Sequence, residues 1–295
     1  MQNMEKTRKQ MIFLSLLILL LTMGKESLST PPPQPLPALG KHFVLIHGAG
    51  HGAWSWYKLV PLLRLSGHNV TAIDLAASGI HLQQAKTLRS VSDYLRPLRD
   101  FLAALPPQER VILVGHSFGG VALSQAMERF PEKISVAVFL TALMPGPSFN
   151  ISTLFKEFSS GQLPELDNHY AYDDGPNDPP TTEFFGPIFL KNVLYQLSPL
   201  EDWTLATYLV RPRRLFSYED MSREILLTTD KYGSVRKVFI IAEEDLIIKK
   251  DFQQLMIQKN PPNEAQTVLG SDHMVMMSKP MDLCTILLQI ADKYV

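Results

Sequence analysis

The sequence predicts an α/β protein built on a mostly parallel, doubly wound sheet that carries one long insertion. Three observations lead there. Short runs rich in Val, Ile and Leu lack polar alternation, as strands buried on both faces of a parallel sheet do. Helical segments alternate with those runs, which is the order of a doubly wound sheet. Between the fourth and fifth runs lies one stretch, residues 144–227, far longer than an ordinary crossover.

Taken in chain order, strands are expected at His42–Ile46, Asn69–Leu75, Arg110–Val114, Ile134–Ala142, Lys237–Ala242 and Ala265–Leu269. Helices are expected at Trp54–Ser66, Val91–Ala104, Gly119–Phe130, Asp251–Lys259 and Met281–Tyr294. The stretch from residue 144 to 227 mixes Pro, Asn and Asp with aromatics, among them Phe155, Phe158, Tyr170 and Tyr172. Long insertions in compact domains tend to be functional, and an aromatic one suits a cap over an apolar substrate pocket.

Composition narrows the partners. The 295 residues carry 28 Lys and Arg against 29 Asp and Glu, a net charge of −1, so no nucleic-acid footprint is expected. A hydrophobic fraction of 45% with that low charge excludes a disordered chain. The single cysteine, Cys284, excludes an internal disulfide framework and a thiolate zinc cluster, and its place in the last helix predicts buried packing. No metal-ligand cluster and no cofactor motif stands out, so the partner expected is a small molecule; a homodimer is compatible with the sequence.

The first 40 residues read differently. Lys6, Arg8 and Lys9 precede an apolar run, Met11 to Met23, and Ser27 and Ser29 follow it. That run falls short of the ~20 residues a bilayer span needs. Basic start, apolar run and small residues together predict a secretory signal peptide or signal anchor over residues 1–29. Five prolines between Pro31 and Pro37 then predict an extended linker over residues 30–40. The folded domain is expected over residues 41–295. Its expected location is the secretory pathway or outside the cell, with the cytoplasm as the alternative, and membrane contact only through an uncleaved N-terminal segment.

The chemistry sits after the third strand, at Gly115-His116-Ser117-Phe118-Gly119-Gly120. Strand, sharp turn and helix around G-x-S-x-G form a nucleophile elbow, which presents the Ser117 hydroxyl at the carboxyl end of the sheet and at a helix N-terminus. A serine needs a base, and the base an orienting acid, in the order Ser, Asp or Glu, His for this arrangement. Of eight histidines only His273 follows both the serine and a late strand. The acid should follow the strand Lys237–Ala242, where Glu243, Glu244 and Asp245 stand together and spacing alone does not choose. Asp272 adjoins the base and is badly placed to reach its ring. Asp74 precedes the serine and is out of order. His169 falls in the cap and His116 beside the serine, where a local hydrogen bond is expected. The glycine-rich turn His47-Gly48-Ala49-Gly50-His51-Gly52 supplies a backbone amide, that of Ala49, to pair with the amide of Phe118 as an oxyanion hole. As a phosphate site the turn lacks the required lysine and spacing.

Several segments are similar to the plant methylesterase family: His42 to Ala49, His51 to Leu59, Asp74 to Gly79 and Gly270 to Met274. The resemblance runs from about Lys41 to Val295. It implies an α/β-hydrolase fold with an inserted cap, Ser117, Asp245 and His273 as catalytic triad, Ala49 and Phe118 as oxyanion-hole residues, and no cofactor. It further implies hydrolysis of methyl esters of small hormone-like acids, such as methyl indole-acetate, methyl jasmonate or methyl salicylate. Phe118 departs from the leucine common at its position. Related hydroxynitrile lyases carry threonine and lysine where this chain has Gly48 and Met274, which disfavours lyase chemistry. A hormone-binding receptor on a hydrolase scaffold is the non-enzymatic alternative. The expected pocket residues are Phe155, Phe158, Tyr170, Tyr172 and Met274.

Overall fold

The computed structural model describes residues 40–159 and 164–294. The expected signal segment and nearly all of the Pro-rich linker lie outside the described residues. Six parallel strands form the main sheet: β1 His42–Ile46, β2 Asn69–Ile73, β3 Val111–Ser117, β4 Ile134–Ala142, β8 Lys237–Ala242 and β9 Glu264–Val268. Their spatial order is β2-β1-β3-β4-β8-β9. The sheet is therefore entered at β1, one place in from its edge; the chain steps outward to β2, then returns past β1 and builds in the other direction. Such a reversal leaves a crevice at the carboxyl ends of the two strands beside it, here β1 and β3.

Both faces of the sheet are covered. Val44 and Leu113 face one apolar cluster, with Leu95 and Leu98 of α2 (Val91–Ala104) and Leu123 of α3 (Gly119–Arg129). Leu45 and Ile112 face the other, with Leu59 of α1 (Leu59–Leu65) and Leu287 of α8 (Pro280–Tyr294). The double burial is why these strands read as continuous apolar runs rather than alternating ones. Helix α2 starts where Ser90 accepts a hydrogen bond from the Asp93 amide at 3.0 Å, an N-cap, and it buries Val91, Tyr94, Leu95, Leu98 and Leu102 at helical spacing. Cys284 is buried in α8.

The helix expected over Trp54–Ser66 is two pieces, a 3₁₀ turn at Ala53–Trp56 and α1. Pro61 explains the break. In the first turn of α1 its missing N–H costs nothing, but a helix continued from before Tyr57 would drive its ring into the carbonyl four residues back.

Between β4 and β8 the chain forms the insertion. Helices α4 (Ile151–Ser159), α5 (Leu200–Leu209) and α6 (Tyr218–Glu224) accompany a small antiparallel sheet of β5 (His169–Ala171), β6 (Thr182–Phe184) and β7 (Arg213–Arg214), in the order β5-β6-β7. Polar anchors tie it to the main sheet. Buried Asp202 of α5 binds the Tyr57 hydroxyl and the Lys58 ammonium. The backbone N–H of Arg211 donates to the Gly50 carbonyl at 2.8 Å, so the chain leading into β7 is joined to the glycine-rich turn after β1. Helix α7 (Lys250–Lys259) then leads to β9.

Candidate active site

Ser117 is the last residue of β3 and has φ +56°, a left-handed conformation that costs a non-glycine residue about 1–3 kcal/mol. Its flanking glycines make the turn physically feasible. A Cβ on Gly115 would lie 2.9 Å from the Gly119 carbonyl oxygen, and one on Gly119 would lie 2.9 Å from the carbonyl oxygen of Ile46 on the neighbouring strand. Helix α3 begins at Gly119, so the serine stands at its positive end.

Asp245 follows β8 and is 3% exposed, whereas Glu243 beside it binds Lys250 and the Gly270 amide, and Glu244 faces solvent. Asp245 Oδ2 accepts from His273 Nδ1 at 2.7 Å and from the Thr141 hydroxyl, while Oδ1 accepts from the amides of Ile247 (2.7 Å) and Ile248 (2.9 Å). Four donors fix the carboxylate plane. Thr141, at the end of β4, also has positive φ, +36°. With Nδ1 donating to Asp245, the neutral ring of His273 has Nε2 as its basic nitrogen.

Ser117 and His273 line one cavity of about 350 Å³, a size suited to small ligands. Ala49 and Phe118 line it as well, as do Phe155, Phe158 and Tyr170. Two residues expected in the pocket lie elsewhere. Tyr172 is 51% exposed, beyond the end of β5, and Met274 is fully buried in the cluster beneath the sheet. The cause for Met274 is local: its amide donates to Asp272 Oδ1 at 3.0 Å, and a short helix, Val275–Ser278, begins immediately after it. Asp272 spends Oδ2 on the Leu197 amide (3.0 Å) and the Ser198 hydroxyl (2.7 Å), holding the insertion rather than the imidazole. Asp74 likewise binds the amides of Ala53 and Ile80.

Three further histidines surround the site, all buried. His47 donates Nδ1–H to the Gly48 carbonyl and accepts at Nε2 from the Leu75 amide. His51 donates to the Ala49 carbonyl at 2.8 Å and accepts from the Tyr195 hydroxyl at 2.7 Å. Burial pushes the His51 pKa down to about 4 and lowers those of His47 and His116. His116 does not bond locally, as its position beside the serine suggested. Its Nε2–H reaches across 157 positions to the carbonyl of His273 at 2.8 Å, fixing the backbone of that residue. His51 also lines the cavity and gave no signal in the sequence beyond its glycine-rich setting. Exposed His169 stands at the start of β5.

The cavity is two-ended. Phe155 stacks on Tyr218 (5.0 Å between centroids) and Phe118 leans on Phe155 (6.4 Å), an apolar flank beside Ser117. Elsewhere its wall is polar, with Asn168, Tyr170, Glu183 and Arg213 on it. The aromatic-rich insertion alone implied an apolar pocket; of these four, Tyr170 was expected, and Asn168, Glu183 and Arg213 were missed.

The fold and this strand-end constellation define a class. A profile described as the Alpha/beta hydrolase family matches residues 43–285, and the chain belongs to that family. Within it, the chain groups with plant esterases. It is 52% identical to methyl jasmonate esterase 1 of Vitis vinifera over 86% of this chain and 98% of that protein. It is 48% identical to salicylic acid-binding protein 2 of Nicotiana tabacum, over 86% of this chain and 98% of that protein. Among solved structures, tomato methylketone synthase I complexed with 2-tridecanone superposes with a TM-score of 0.84 at 56% identity, covering 88% of this chain and all of that one. Polyneuridine aldehyde esterase superposes at 0.81 with 39% identity, covering 85% of this chain and 99% of that one.

Proposed function

We propose that the protein is a serine carboxylesterase that hydrolyses methyl esters of small hormone-like carboxylic acids, of the methyl indole-acetate, methyl jasmonate and methyl salicylate class, through an acyl-enzyme. The observation that carries this reading is the buried Asp245–His273 pair, whose imidazole lines the same cavity as Ser117 on its strained elbow. Methyl jasmonate esterase 1, at 52% identity, supports the substrate class.

In this mechanism His273 Nε2 takes the Ser117 proton as the hydroxyl oxygen attacks the ester carbonyl. Negative charge on the carbonyl oxygen is met by the amides of Ala49 and Phe118. The protonated imidazole, stabilised by Asp245, returns its proton to the leaving oxygen, and methanol departs. Water then enters, loses a proton to His273, and attacks the acyl carbon; collapse frees the carboxylic acid as His273 returns the proton to Ser117 Oγ. No cofactor takes part. Met274, buried and apolar, offers no cation for a departing cyanide, which argues against a lyase.

The test is methanol release from the three methyl esters by the purified protein and by Ser117→Ala. The expected outcome is turnover of at least one ester, reduced by about 10⁴-fold or more in the variant. Binding of the free acids with no methanol release would move the protein to the receptor class.

A further inference from the structure

The insertion's small sheet builds a second recognition element. In its register Tyr170 pairs with Glu183, and Glu183 pairs with Arg213. Directly opposed residues of antiparallel strands share a face, so these three side chains form one row across the sheet. All three line the cavity. Within the row Glu183 is saturated: Oε1 accepts from Asn168 Nδ2 (3.0 Å) and the Tyr170 hydroxyl (3.2 Å), and Oε2 from Arg213 Nε (2.7 Å), with Arg213 Nη2 also against it.

Arg213 is not saturated. Its guanidinium has five N–H groups in a rigid fork. Nε and Nη2 face Glu183, while Nη1 has no acceptor among the described residues. The side chain of Glu183 is 7% exposed and that of Arg213 31%, so the acceptor is sealed and the donor is open. Glu183 on one side and the Phe185 ring, 5.5 Å from the guanidinium carbon, on another hold the fork in place. A donor fixed on a cavity wall and lacking a protein acceptor is arranged for a ligand acceptor.

The charges around it define that acceptor. Arg213 and Arg214 are the cations of this part of the wall. Glu183 and Glu165 are the anions. With two carboxylates against two guanidiniums this part of the wall is already balanced, so a second carboxylate on the ligand would go uncompensated, whereas an uncharged oxygen would not. We infer that Arg213 is a specificity-determining residue that donates from Nη1 to an uncharged oxygen acceptor, such as a ketone, carried on the acyl group away from the scissile ester. The inference takes its kinetic form from the esterase reading, and its binding form stands apart from it.

The probes are methyl octanoate and the methyl 4-, 5-, 6- and 7-oxooctanoates, which move one ketone along a constant chain. Hydrolysis is measured with the wild type, and dissociation constants with Ser117→Ala, where no turnover is needed. One keto position is expected to exceed methyl octanoate about tenfold both in kcat/KM and in affinity, the value of one hydrogen bond. Arg213→Lys keeps a cation for Glu183 but removes the free Nη1 pair. It should erase the keto preference, bringing the ratio of every keto ester to methyl octanoate close to one in both kcat/KM and affinity. A structural role would instead lower all five esters together. Equal binding of all five to Ser117→Ala, or a keto preference that survives Arg213→Lys, overturns the inference whether or not the esters are hydrolysed. Keto-selective binding without any methanol release would uphold it and reject the esterase reading.

Discussion

The two ends of the cavity are built by different means. At the Ser117 end every group hangs from the carboxyl end of a parallel strand: Ser117 at the end of β3, Thr141 on β4, Asp245 after β8 and His273 after β9. Asp245 and His273 are 3% and 1% exposed, and each is fixed by bonds to backbone or buried side chains. At the Arg213 end three strands of two or three residues hold the row, and its cation is partly open. A site for bond-breaking needs groups held to fractions of an ångström, and a thick parallel sheet supplies that rigidity. A site for choosing among acyl groups needs only a few directed contacts, which a small surface sheet can supply and exchange.

Three experiments break or sharpen this contrast. The largest effect is expected for Asp245→Asn. A carboxamide can present its N–H₂ to Nδ1 and hold the wrong imidazole tautomer, so kcat should fall by about 10³–10⁴-fold with the fold intact. A loss under tenfold would show that the acid is not working through His273. Next comes acid stability, carried by the rigid end. His51 is held near pKa 4 against an ordinary 6.5, and His47 and His116 are lowered too. The unfolded chain binds more protons between those values, so stability is full above about pH 6.5 and falls as pH drops toward 4. From His51 alone, urea titrations should lose about 2 kcal/mol between pH 7 and pH 5. A flat profile would mean that these imidazoles are not held neutral. The smallest effects separate pocket from surface within the insertion. Phe155→Ala should lower kcat/KM about tenfold, while exposed Tyr172→Ala should stay within twofold; equal losses would erase the distinction.

The same contrast governs what could be read from the chain. The parallel strands were legible because double burial leaves uninterrupted apolar runs such as Val111-Ile112-Leu113-Val114, and the elbow was legible because its glycines are forced by contact with adjacent backbone. Strand ends shifted by a few residues, most at β3, which runs on to include Ser117 itself. Choosing Asp245 over Glu243 and Glu244 needed the family resemblance, since which of three adjacent carboxylates turns inward depends on the Ile247 and Ile248 amides. The row Tyr170–Glu183–Arg213 was not legible: strands of two or three residues carry no periodicity, and their partners lie 13 and 30 positions apart. Nor was the bond from His116 to the His273 carbonyl, which exists only once β3 and the loop after β9 are brought together.

In the proposed reaction Ser117 Oγ is the nucleophile that becomes acylated. That role is tested most directly by treating the full-length protein with a fluorophosphonate ester and mapping the adduct by peptide mass spectrometry while methyl ester hydrolysis is followed. One adduct per chain on Ser117, forming in step with loss of hydrolysis and absent in Ser117→Ala, is the predicted result. Complete loss of hydrolysis with Ser117 unmodified, or full hydrolysis with Ser117 quantitatively modified, would contradict it.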